Sequence, residues 1–144
     1  MKLEFAILAE NADRLEDGKL VIFGGDFNFF QVSKVPAAIP FYLVCKFSEK
    51  FGESPSGHKF ILEIENPAGE RKPMALNGIE IGFGESAHPE LPSIAHVFTR
   101  LIVQFMAVGL YSLYVMVDGN EMARIPVRVD LQPTAENVPS EPQQ

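Results

Sequence analysis

Apolar and polar residues alternate with a period of two along most of this chain, which predicts strands with one buried face. "HKFILEIE" is the clearest case: Phe60, Leu62 and Ile64 fall on one side, and Lys59, Glu63 and Glu65 on the other. "HVFTRLIVQF" repeats the pattern with Val97, Thr99, Leu101, Val103 and Phe105. In "GLYSLYVMV", Tyr111, Leu113, Val115 and Val117 take the inner face and Ser112, Tyr114 and Met116 the other. The opening "KLEFAILAE" groups Leu3, Phe5, Ile7 and Ala9 on one face, with Ala6 and Leu8 between the charges of the other. "FYLVCKF" (Phe41 to Phe47) is almost wholly apolar and predicts a central strand covered on both faces.

Turn chemistry separates these runs. Pro36 and Pro40 interrupt the chain before "FYLVCKF", and "NPAG" (Asn66 to Gly69) suits a type I turn. Asp118-Gly119, followed by Asn120, joins the last two strands into a hairpin. On the return strand Pro126 predicts an edge position, where a missing N–H does no harm. No segment sustains a helical period; the only candidates are short turns near residues 11–16 and 92–95. The expectation is an all-β chain: a single antiparallel sandwich of about eight strands, immunoglobulin-like or Greek-key, with a partly open barrel as the alternative. The domain covers residues 1–131. "QPTAENVPSEPQQ" (132–144) has too little apolar content to pack and reads as a disordered tail.

Two glycines interrupt the aromatic run "VIFGGDFNFF". A phosphate loop needs a different glycine spacing and a following helix, and neither is present. Glycine inside a strand marks a bulge, a corner or a close backbone approach. Gly24 and Gly25 are therefore expected to bend the strand, sending "VIF" and "FNFF" to different parts of the sandwich. Gly109-x-Tyr111 opens the penultimate strand and resembles a tyrosine corner, in which the phenol bonds back to upstream backbone.

"EFAILAENA", "DGKLVIFGGDF", "IPFYLVCKF", "HKFILEIENPAGE" and "GLYSLYVMVDG" together resemble a family of small uncharacterised bacterial proteins. The likeness spans about Leu3 to Leu131. Those motifs are structural, so the resemblance implies a fold and supplies no catalytic residue.

Composition narrows the function classes. The net charge is −7, and no basic stripe is visible, so neither nucleic acid nor an anionic membrane is an expected partner. With no secretory signal and one cysteine, Cys45, the cytoplasm is the expected location. His58, His88 and His96 lack a metal-ligand spacing, no nucleophile motif occurs, and the acid pairs fall on polar faces or turns. The expectation is no catalytic set, no metal and no cofactor.

Aromatic residues are the better lead. Phe29, Phe30, Phe83, Tyr114 and Met116 are candidates for a partner-binding patch, since a contiguous exposed apolar patch marks an interface. Gly24, Gly25, Gly109, Tyr111, Asp118 and Gly119 are assigned structural roles. Two functions remain open. One is a non-catalytic protein-interaction or structural module that self-associates or docks on a protein partner. The alternative is a small-ligand or carbohydrate-binding domain using the 82–94 loop, with Glu85, His88 and Glu90 as polar contacts.

Overall fold

The computed structural model describes residues 1–50, 57–74, 79–84 and 88–133. The described residues form ten strands and no helix. The first sheet contains β1 (Lys2–Arg14), β2 (Leu20–Gly25), β4 (Ala37–Glu49) and β8 (Ser93–Phe105), in the order β2-β1-β4-β8. The second contains β3 (Phe29–Val32), β5 (His58–Glu65), β6 (Arg71–Pro73), β7 (Ile79–Ile81), β9 (Gly109–Val117) and β10 (Asn120–Leu131). Its order is β3-β10-β9-β5-β6, with β7 also on β5. Neither sheet closes on itself, so the arrangement is a sandwich and not a barrel.

The strand number departs from eight at two places. The run with Gly24 and Gly25 divides into β2 and β3, which lie in different sheets. The segment after β5 supplies two three-residue strands, β6 and β7, which both pair with β5. Residues 75–78 lie outside the described residues, as does the tail beyond Pro133.

One pair is not antiparallel. β3 runs parallel to β10, pairing Phe29 with Arg128 and Val32 with Leu131. Pro126 was expected on an edge, yet β10 lies between β3 and β9. The proline is tolerated because β3 pairs only from Arg128 onward, leaving Pro126 beyond the end of that ladder.

Inner-facing residues of both sheets form the main core. Phe41, Leu43, Cys45 and Phe47 of β4 meet Phe60 and Leu62 of β5 and Leu113, Val115 and Val117 of β9. Phe47 and Phe60 meet edge to face at 6.5 Å, and Phe105 meets Tyr111 at 4.9 Å. The Tyr111 hydroxyl donates to the Ala107 carbonyl at 2.7 Å, joining the β8–β9 connection to the core.

β1 is not half-buried, as simple alternation would have it. A register shift between Leu3 and Phe5 turns Ala6 and Leu8 toward the main core, and Phe5, Ile7 and Ala9 to the opposite face. There they join Tyr42, Val44, Phe98, Ala12, Leu20 and Ile22 in a second cluster. β2 is two strands away from β4, and Leu20 and Ile22 join the cluster that contains Val44 as the β1–β2 hairpin curls over the sheet. The Arg14 guanidinium lies 5.6 Å from the Phe98 ring centroid, on the far strand, which fits the same curl.

Gly24 and Gly25 stand at the base of that curl. Gly25 pairs with Ala9. Gly24 takes a φ of +56°, a region that disfavours side chains, and a Cβ there would meet the Glu10 side chain at 2.7 Å.

Candidate functional site

Two arrangements of side chains stand out: a charged clasp at one end of the sandwich and a phenylalanine groove beside the glycine bend.

The clasp joins the two sheets. Glu49 continues the inward parity of Phe41, Leu43, Cys45 and Phe47, so its carboxylate is buried with only 3% of the side chain exposed. His58, at the start of β5, donates from Nε2 to Glu49 Oε1 at 2.7 Å and from Nδ1 to Asp118 Oδ2 at 2.6 Å. Both nitrogens can donate at once only in the imidazolium form, which the two carboxylates favour. Its pKa is raised, chiefly by the hydrogen bond to Asp118 and then, against burial, by Glu49. Asp118 is held below the usual carboxylate range by His58 and by the backbone N–H of Lys59, which donates to Oδ1 at 2.9 Å. Asp118 and Gly119 form the β9–β10 turn with φ of +50° and +80°, and that turn aims the carboxylate at His58.

This cluster is poorly suited to catalysis. A general base needs an unprotonated nitrogen facing a substrate, and both nitrogens here are held by carboxylates. At 2.6 and 2.7 Å there is also no room for an ion between the histidine and either acid. Cys45 is no better as a nucleophile, since burial pushes its thiol pKa up to about 12. The sequence pattern puts His58 at the start of "HKFILEIE" and singles out neither it nor Glu49 as a site residue. The overlooked signal was an acid at a core-facing position, which requires a buried partner.

The groove has a volume of about 510 Å³ and lies at the glycine bend. Phe27, Phe29, Phe30, Phe41, Pro40 and Glu10 line it. Phe30 is its floor: its ring contacts Phe27 at 5.4 Å, Phe41 at 5.3 Å and Phe105 at 5.9 Å. The groove is thus anchored on the main core, while Phe29 stays 46% exposed at its rim. Its volume is within the range usual for small-ligand sites.

The five candidate partner-binding residues do not form one patch. Phe29 and Phe30 meet in this groove. Phe83 packs edge to face on His58, at 6.1 Å, within the clasp. Tyr114 and Met116 lie on the outer face of the second sheet, where Arg71 covers them. Its guanidinium is 3.6 Å from the Tyr114 ring centroid, and its Nη2 is 3.3 Å from Met116 Sδ. Glu63 holds Arg71 in place at 2.6 Å, so Tyr114 is only 6% exposed. In the 82–94 loop, His88 and Glu90 approach to 3.4 Å as an exposed pair, and Glu85 lies outside the described residues.

A third feature is a cationic surface. The outer face of the first sheet carries Lys46 and His96 side by side on β4 and β8, and Arg100 opposite Tyr42. Arg14 joins them from the curled hairpin. Among the described residues none of Arg14, Lys46 and Arg100 makes an ion pair. His96 has a lowered pKa, first from burial and then from the charges of Arg14 and Lys46.

Comparison with known proteins gives a family and a structural likeness. The model of DUF6941, a family of unknown function, matches residues 4–130. None of the curated proteins matches. The fold is similar to part of Pseudomonas fluorescens alkylpurine DNA glycosylase AlkC bound to DNA containing an abasic site analog, with a TM-score of 0.51 and 12% identity. The likeness covers 72% of this chain and 28% of the glycosylase, and at that identity it speaks for the fold alone. The exclusion of nucleic acid is nevertheless corrected, because a similar fold is part of a protein bound to DNA. Net charge is a sum over the surface, and here Arg14, Lys46 and Arg100 lie on one face of an acidic chain. No helix among the described residues is long and apolar enough to cross a membrane.

Proposed function

The chain belongs to the DUF6941 family, whose function is unknown, and we propose that it is a non-catalytic binding module working through the phenylalanine groove. The observation that carries this reading is Phe29, a large ring left 46% exposed above a groove floored by the buried aromatic core. A core-anchored floor is rigid, so a ligand entering it loses little to reorganisation of the protein. The non-catalytic part is supported by the clasp, whose histidine has both nitrogens engaged by carboxylates. Titrating ¹⁵N-labelled protein with a set of small apolar and aromatic probes tests the reading. Saturable shifts at Gly24, Gly25 and Phe29 that vanish in Phe29→Ser are expected. Shifts clustering elsewhere, or binding unchanged in Phe29→Ser, would refute it.

A second reading is favoured by the cationic face and by the glycosylase likeness: the outer face of the first sheet contacts nucleic acid. Fluorescence anisotropy with labelled single-stranded and duplex oligonucleotides tests this. Affinity should fall as salt rises and weaken further in Arg14→Ala and Arg100→Ala. Absence of binding at low salt would remove this reading and leave the groove untouched.

A further inference from the structure

We propose that the phenylalanine groove takes an alkylated ammonium cation, with Glu10 as its counter-ion. The inference rests on the groove being the working surface and adds the chemistry of what enters it. Three observations point the same way. First, no cation is among the residues that line the groove, while the Glu10 carboxylate stands at its wall. Second, Glu10 makes no ion pair or hydrogen bond to another side chain among the described residues, so its charge is uncompensated by the protein. Third, the aromatic rings are closely spaced. Phe27 and Phe30, both half-buried, lie 5.4 Å apart centroid to centroid, and Phe29 stands 46% exposed at the rim. A cation attracts a ring within about 6 Å of its centroid, so one methylated ammonium can contact more than one of them.

The glycine bend makes this pairing of acid and rings possible. Any side chain at Gly24 would strike Glu10, with a Cβ only 2.7 Å from its carboxyl carbon. The carboxylate therefore lies against bare backbone. Asp26, next to Phe27 in the chain and exposed, adds negative charge at the bend. A simple ammonium is strongly hydrated and would give up much to enter an apolar groove. An alkylated one presents methyl groups to the phenyl rings and keeps its charge for Glu10. An anionic ligand would be repelled by Glu10, and a neutral apolar one would gain nothing from its charge.

The experiment uses the full chain and a matched pair of probes: choline and its neutral isostere 3,3-dimethyl-1-butanol, of nearly the same shape. Binding is followed by amide shifts at Gly24, Gly25 and Phe29. Choline is expected to bind about tenfold more tightly than the isostere. Glu10→Gln should bring choline down to the affinity of the isostere and leave the isostere unchanged. Phe29→Ala should weaken both. Equal affinity of the two probes for the unmodified chain would overturn the cation inference while the groove reading stands. Failure of both probes to move these amides would overturn both. The probe comparison needs no variant, so it holds even if a substitution disturbs folding.

Discussion

Replacing His58 with leucine should expose how much the clasp contributes to stability. The substitution removes both imidazolium donors but keeps an apolar side chain beside Phe83. Glu49, with 3% of its side chain exposed, then loses the cation 2.7 Å away. Breaking a buried pair by removing one partner costs about 3–5 kcal/mol, because the remaining charge is left uncompensated. His58 itself is 18% exposed, so water can partly replace it, and about 3 kcal/mol is the fitting figure. For a domain of this size that lowers the melting temperature by roughly 10 °C. The Asp118 contact adds little to the figure, since that carboxylate is already 48% exposed. The decisive comparison is the double variant Glu49→Leu/His58→Leu. Removing both charges together should recover most of the loss, because a buried ion pair replaced by apolar groups is often near neutral. Urea unfolding followed by circular dichroism measures both variants. A single variant within about 0.5 kcal/mol of the parent, or a double variant as unstable as the single, would refute a buried, paired Glu49.

Further outcomes follow from the same geometry. The His58 pKa is raised, so the stability that it contributes is complete below its ordinary value of about 6.5 and is lost as pH rises through the folded value. Asp118 is lowered, so its contribution is present above the ordinary carboxylate value and is lost as pH falls through the folded one. Urea midpoints across pH should therefore fall on both sides of this window, and His58→Leu should lose the fall on the alkaline side. A Cβ on Gly25 would meet Ile22 Cγ2 at 2.8 Å and Ile7 Cδ1 at 3.4 Å, so Gly25→Val should destabilise by about 1–3 kcal/mol in thermal unfolding. An unchanged melting temperature in that variant would remove the account of the bend. Cys45 is fully buried and its thiol pKa is about 12, so a thiol reagent at pH 8 should modify it only at the rate of unfolding. Rapid labelling in the absence of denaturant would contradict its place in the core.

The strands were readable wherever one face of the chain meets the core, as at Phe60 and Leu62 or Val115 and Val117. Alternation carried less information where a strand is covered twice. The parity of β1 was ambiguous because a single register shift near Glu4 exchanges its faces. The edge expected at Pro126 is only local, because a parallel partner, β3, arrives from a distant part of the chain and covers β10 from Arg128 onward. Of the candidate site, Phe29 and Phe30 were singled out from the sequence, but Glu10 and Phe41 were not. They come from other strands and join the groove only when the hairpin bends. Tyr114 and Met116 read as exposed because nothing in their own strand covers them, whereas Arg71 does so from β6.

The pattern of side chains by itself determined that this chain is built from strands, where most of them turn, and which positions outside β1 face the interior. Those are local properties: a period of two and the backbone demands of glycine, proline and asparagine act within a few residues. Tertiary structure alone decided which charges meet and where a groove opens. Glu49 and His58 end and begin consecutive strands that lie in different sheets, Asp118 joins them from 60 residues away, and Glu10 reaches the phenylalanines through a bent hairpin. Pairing energies of that kind depend on distance in space and on exclusion of water, and neither is written in the spacing of residues along the chain.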